Sequence, residues 1–188
     1  MKRATAVVAS LLLLAAALAA QTKRHDALND TEIDQLRETA QEPEKRLPLL
    51  VTFARARLAA LDQIRQDPRF ADERPQRIRD LLEDFGQIMD ELSDNLDDYA
   101  DKKIDIRKPL AKVIEGASEF QLKLRSLKES ADAGGGASKE GASYRFVLQD
   151  DTESVNSTLD DARKLLDEQN QAIKEAKEAA KEAKKKKK

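Results

Sequence analysis

The chain contains no cysteine and no tryptophan, and only 4% of its residues are aromatic. Without cysteine there are no disulfides and no thiolate chemistry. A lipid anchor on a cysteine after a leader is excluded as well. A single histidine, His25, stands before the first expected helix. It reads as a solvated residue, because transition-metal sites need clusters of His or Cys. Sustained period-two alternation and Asn-Gly or Asp-Gly turns are absent too, and with them the signature of hairpins and sheets.

The familiar catalytic patterns are also missing. There is no G-x-S-x-G, and no glycine-rich loop follows a strand. GGGASKEG holds Gly136 and Lys139 without the spacing of a phosphate loop. The stretch from Asp94 to Asp105 fails as a calcium loop, because Tyr99 stands where glycine is required. Glu91, Asp94 and Asp98 share a helix face, which reads as a solvated acidic surface. Glu-x-x-His pairs for a di-iron site do not occur. The sequence therefore carries no catalytic, cofactor-binding or metal-binding residues, and the expectation is a non-enzyme with no cofactor. Asn156-Ser157-Thr158 matches a glycosylation sequon but falls inside an expected helix.

What the chain does have is helical periodicity. Residues 1–20 stand apart as a signal peptide: Lys2 and Arg3, an apolar run, and a small-residue cleavage site at Ala17-Leu18-Ala19. The run is short for a membrane span, although an uncleaved anchor is the alternative. Cleavage predicts export to the periplasm or secretion.

From residue 21 apolar residues recur at intervals of three and four. A short first helix is predicted over Thr31–Gln41, with Thr31 and Asp34 as a capping pair. A second follows from Pro43 to Gln66, bent or restarted at Pro48. Its stripes are Leu47, Leu50, Ala54, Leu58 and Leu61, and beside them Leu49, Phe53, Ala56, Ala60 and Ile64. A third spans about Asp72 to Tyr99. A fourth lies between Asp105 and Ser130 and must start just before Pro109. Residues 130–143 read as a flexible loop around three consecutive glycines. A last helix begins near Tyr144 on a heptad seam of Leu148, Thr152, Val155, Leu159, Ala162, Leu166, Gln169 and Ile173. Short connections predict antiparallel neighbours. The fold expected is all-α: an antiparallel four-helix bundle with a short extra N-terminal helix and a long overhanging C-terminal helix. Phe53, Phe85, Phe120 and Phe146, one on each long helix, are expected in the core. The arginines from Arg55 to Arg79 are expected to pair with the acidic third helix, and Gly86 to admit a close neighbour.

Charge divides the chain. Residues 21–173 hold 24 basic and 33 acidic side chains, a net of −9, and residues 174–188 hold eight lysines and three glutamates, a net of +5. The heptad period continues there on alanine, so the helix outruns anything large to bury. It should leave the bundle beside the acidic turn holding Asp94, Asp97, Asp98, Asp101 and Asp105, either folding back on it or reaching away. Lys184, Lys185, Lys186, Lys187 and Lys188 are the candidate contact residues for an anionic surface, such as an envelope lipid or polymer. The plainer reading is a solubilising end. No aromatics are interleaved, so specific nucleic-acid binding is not supported.

The function expected is a binding or structural role in the cell envelope, with a protein partner or self-association through the heptad helix as further partners. A holdase-like periplasmic chaperone is the alternative, and a metal binder or enzyme comes last.

Overall fold

The computed structural model describes residues 26–132 and 139–186. The expected signal segment, His25, the glycine run, Lys187 and Lys188 lie outside the described residues. The rest is helical, with no strand among the described residues.

Helix α1, Asp30–Glu38, is short and begins at a capping box. Asn29 Oδ1 accepts from the Glu32 N–H at 3.0 Å, and Glu32 Oε2 accepts from the Asn29 N–H at 3.0 Å. The cap thus sits two residues earlier than expected, because Asn29 has a glutamate three residues on that returns the bond. Helix α2, Pro43–Gln66, starts on a proline whose missing N–H costs nothing there. Pro48 lies inside it, and the helix continues through. A 3₁₀ turn, Pro68–Phe70, leads to α3, Arg74–Asp101. Helix α4, Arg107–Asp132, places Pro109 in its first turn. Helix α5, Lys139–Lys186, is 48 residues long and begins five residues before its expected start. The expected loop at 130–143 is correspondingly shorter.

The longer helices form an all-α bundle. Helices α2 and α3 run antiparallel: Arg46 near the start of α2 meets Glu91 and Asn95 near the end of α3. Helices α4 and α5 also run antiparallel, joined by Gln121 to Asn156 at 2.7 Å and Arg145 to Asp132 at 4.0 Å. Helices α2 and α4 pack side by side and run the same way, linked by Arg55–Glu119 and Asp62–Lys123, both at 2.9 Å. Helices α3 and α5 do likewise, with Gly86 against Asp151. The packing order around the ring is therefore α2, α3, α5, α4. Consecutive α3 and α4 lie on a diagonal, although the connection between them is short. They meet across the centre, where Phe85 and Phe120 form an edge-to-face pair with centroids 5.4 Å apart.

Glycines make the parallel pairs close. A Cβ on Gly116 would lie 2.4 Å from Val51 Cγ1, and one on Gly86 would lie 2.6 Å from Asp151 Oδ1. Gly86 thus does what the sequence suggested; Gly116 gave no such sign.

The helical periods on α3 (Ile78, Leu81, Phe85, Ile88, Leu92, Leu96, Tyr99) and α4 (Leu110, Val113, Ala117, Phe120, Leu124, Leu127) are buried except for the half-buried Leu81, and Leu82, Met89 and Val51 join them. On α2 only the first stripe is fully buried, while Ala56 is exposed. Phe146 is not in the core: it is 78% exposed. It lies about 160° around α5 from Leu148, at 100° per residue, and so faces away from the seam. The seam itself is used within the chain: Leu148, Val155, Leu159 and Ala162 are buried.

The expected arginine pairing is mostly local. Arg69, Arg77 and Arg79 bind Asp67, Glu73 and Glu83 nearby, and Arg74 reaches the backbone carbonyls of Ile64 and Asp67. Arg55 turns to α4. Only Arg57 reaches α3 from that set, at Asp84, and it also holds Glu32 and the Ala27 carbonyl of the N-terminal segment. Arg46, three turns earlier on the same face, binds the Leu36 carbonyl at the end of α1. Two arginines thus clamp α1 against the groove between α2 and α3.

Candidate functional site

The place where α5 leaves the body is built by three devices. First, α3 ends in a Schellman motif: the Ile104 N–H bonds Tyr99 O at 2.9 Å and the Lys103 N–H bonds Ala100 O at 3.0 Å. Lys103 takes the left-handed conformation, φ 55°, where glycine is usual. Second, the carboxylate of Asp105 accepts from the Arg107 N–H at the start of α4 and from its guanidinium at 2.8 Å. Those bonds hold the Asp105 carboxyl down at about 2. Third, the Gln169 side chain clasps the turn between them. Its Nε2 donates to Ile104 O at 2.8 Å and its Oε1 accepts from the Ile106 N–H at 3.0 Å. The seam position that looked polar in sequence is the last firm anchor of α5. Beside it lies a notch lined by Ala100, Leu165, Ala172 and Ile173.

Beyond Ile173 the helix touches no other element. Residues 174–185 are all exposed, and helix continues to Lys186. The expected exit beside the α3–α4 turn is observed, but the arm does not fold back: an unbroken helix carries it outward. Among the candidate lysines, Lys184 and Lys185 lie on this exposed helix, Lys186 ends it, and Lys187 and Lys188 are outside the described residues. At 100° per residue, Lys174, Lys177, Lys181, Lys184 and Lys185 fall within about 100° of circumference. Glu175, Glu178 and Glu182 form a narrower neighbouring sector, and Ala176, Ala179, Ala180 and Ala183 the remaining one. Position along the sequence suggested only the terminal lysines; helical projection adds Lys174, Lys177 and Lys181.

The acidic turn is only partly free. Lys102 binds Asp98 at 2.7 Å and Arg107 binds Asp105. Glu91 turns inward to Arg46, so the face of Glu91, Asp94 and Asp98 is not one solvated surface.

A second feature had no sequence signal. Asp151 on α5 is 4% exposed, and its Oδ2 has no hydrogen-bond partner. Burial first, together with the carboxylates of Asp150, Asp90 and Glu83, pushes its carboxyl up to about 8. It is held in the α3–α5 seam by the notch at Gly86.

Among the described residues no group of three or more His, Cys, Asp or Glu side chains is placed to hold a metal, and no helix is long and apolar enough to cross a membrane. Asn156 of the sequon accepts a hydrogen bond from Gln121 of α4, and Thr158 is buried, so both serve packing. No family model, curated protein or solved structure matches the chain.

Proposed function

We propose that the protein is an exported, non-enzymatic helical module of the cell envelope, tethered to an anionic surface by its basic arm. The observation that carries this reading is the exposed continuation of α5 past Gln169, with its lysines gathered on one side. Such a face presents positive charge to lipid phosphates or an acidic polymer without sequence selectivity. Each lysine near an anionic membrane contributes about 1 kcal/mol, screened by salt. The rigid bundle then stands off the surface by the length of the arm.

The test is co-sedimentation with vesicles containing anionic lipid, or with envelope polymer. Deleting Lys184–Lys188 should abolish retention and leave the melting temperature unchanged. Retention that survives both this deletion and charge reversal of Lys174, Lys177 and Lys181 rules the reading out.

A further inference from the structure

The arm has a counterpart elsewhere on the same chain. Asp90, Asp94, Asp97 and Asp101 lie within about 60° on one side of α3, by the helical repeat. All four are exposed, and none forms an ion pair among the described residues. The neighbouring acids of α3 are otherwise matched: Glu83 by Arg79, Glu91 by Arg46, Asp98 by Lys102. The stripe runs from Asp90 to Asp101 and the lysine face from Lys174 to Lys185. Each covers 11 residue steps, or about 16 Å at 1.5 Å per residue. Both rows are spaced by helical steps of three and four: Lys174, Lys177, Lys181 and Lys185 on the arm, and Asp101, Asp97, Asp94 and Asp90 on α3.

The stripe sits in uncompensated negative potential. The Asp151 carboxyl, buried against Gly86 one turn before Asp90 and with Oδ2 unpartnered, adds no charge of its own but responds to the stripe: Asp90 is among the carboxylates that push it up. Asp90 itself is raised by burial and by Asp94. A cation is therefore wanted on this face. The chain's own arm cannot supply it: α5 is level with the end of α3 at Leu165 and runs on outward from Ile173 as unbroken helix.

We infer that the acidic stripe of α3 receives the lysine arm of a second copy of this chain, in a reciprocal two-fold pair. The two bundles approach end to end. Each arm passes the partner's α3–α4 turn and lies antiparallel along α3, with Lys174 nearest the partner's Asp101 and Lys185 nearest the partner's Asp90. A closed two-fold arrangement uses both arms and both stripes. It also covers the apolar notch of Leu165 and Ile173 at each bundle end. This goes beyond the tethering proposed above, because pairing and surface attachment draw on the same lysines: an anionic surface would compete the pair apart.

The experiment is sedimentation velocity of the purified protein across a salt series. At about 0.01 M salt, where charges act over about 30 Å, the wild type should be dimeric, and above about 0.15 M it should revert to monomer. Two charge-reversed variants complete the test, each checked for helicity by circular dichroism. One carries Asp90→Lys, Asp94→Lys, Asp97→Lys and Asp101→Lys. The other carries Lys174→Glu, Lys177→Glu, Lys181→Glu, Lys184→Glu and Lys185→Glu. Each alone should be monomeric, and an equimolar mixture should recover a 1:1 pair. A wild type that stays monomeric at low salt overturns the inference and assigns the stripe to a different cationic partner. A dimer indifferent to salt, or a mixture that fails to pair, overturns it too. The readings separate on vesicles: the α3 variant keeps its lysine arm and should still be retained, whatever the pairing result.

Discussion

Gly86 of α3 and Asp151 of α5 touch so closely that a Cβ on the glycine would lie 2.6 Å from the carboxyl oxygen. The missing side chain is what allows a carboxyl group to sit in the seam, 4% exposed and without a partner for Oδ2.

That placement has a pH signature. The Asp151 carboxyl is raised to about 8 in the fold, against about 4 in an unfolded chain. Between those values the native state holds a proton that the unfolded chain has released. Stability from this group therefore falls as pH rises, by up to roughly 1.4 kcal/mol per unit. Asp151→Asn should flatten the decline and be the more stable protein at pH 8, measured by urea unfolding across pH. Parallel pH profiles for both proteins would refute the assignment.

The glycines should respond differently to the same substitution. At Gly116 the obstacle is Val51 Cγ1, a branched side chain held in the core, at 2.4 Å. Gly116→Ala should cost about 1–3 kcal/mol through overpacking, despite the gain in helix propensity. At Gly86 the obstacle is the tip of the Asp151 carboxyl group. In an Asp151→Ala background, Gly86→Ala should be stabilising, by about 1 kcal/mol at most. Chemical denaturation of the four proteins decides it.

Arg57 holds α1 in place, and its loss should release that helix first. Burial acts to raise the Glu32 carboxyl, but hydrogen bonds from Arg57 and the Asn29 N–H outweigh it and keep it below the ordinary value. Glu32 therefore stabilises the fold above its unfolded pKa, and this contribution fades as pH drops through the lowered one. Arg57→Met leaves Glu32 and Asp84 buried without their cation, at a cost of about 3 kcal/mol. Hydrogen exchange should show residues 30–38 losing protection while α3 and α4 keep theirs. Uniform loss across the bundle would mean α1 is no separate unit.

Lys103 occupies a left-handed position that glycine takes without strain. Lys103→Gly should raise stability by about 1 kcal/mol, read from the denaturation midpoint. A loss would show that the lysine side chain contributes more than its backbone costs.

The helices were legible because their apolar residues repeat at three and four over long stretches, and because Pro43, Pro68 and Pro109 punctuate them. The exit of the arm was legible too, since leucine gives way to alanine at a readable point. Phe146 was misplaced because counting one aromatic per helix ignores which side of the helix it faces. Asp151 left no trace in sequence: an aspartate among other acids looks solvated until a neighbouring helix covers it.

Local pattern alone determined that this chain is helical, where each helix roughly begins and ends, and that its last segment has nothing large to bury. These depend on residues within a turn or two of one another. Only tertiary structure decided the order of the helices around the bundle, the partners of Arg46 and Arg57, and the separation of matched from unmatched acids on α3. Those depend on which surfaces meet across dozens of residues of chain, as where Gly86 and Gly116 leave room for the side chains of Asp151 and Val51 on a neighbouring helix.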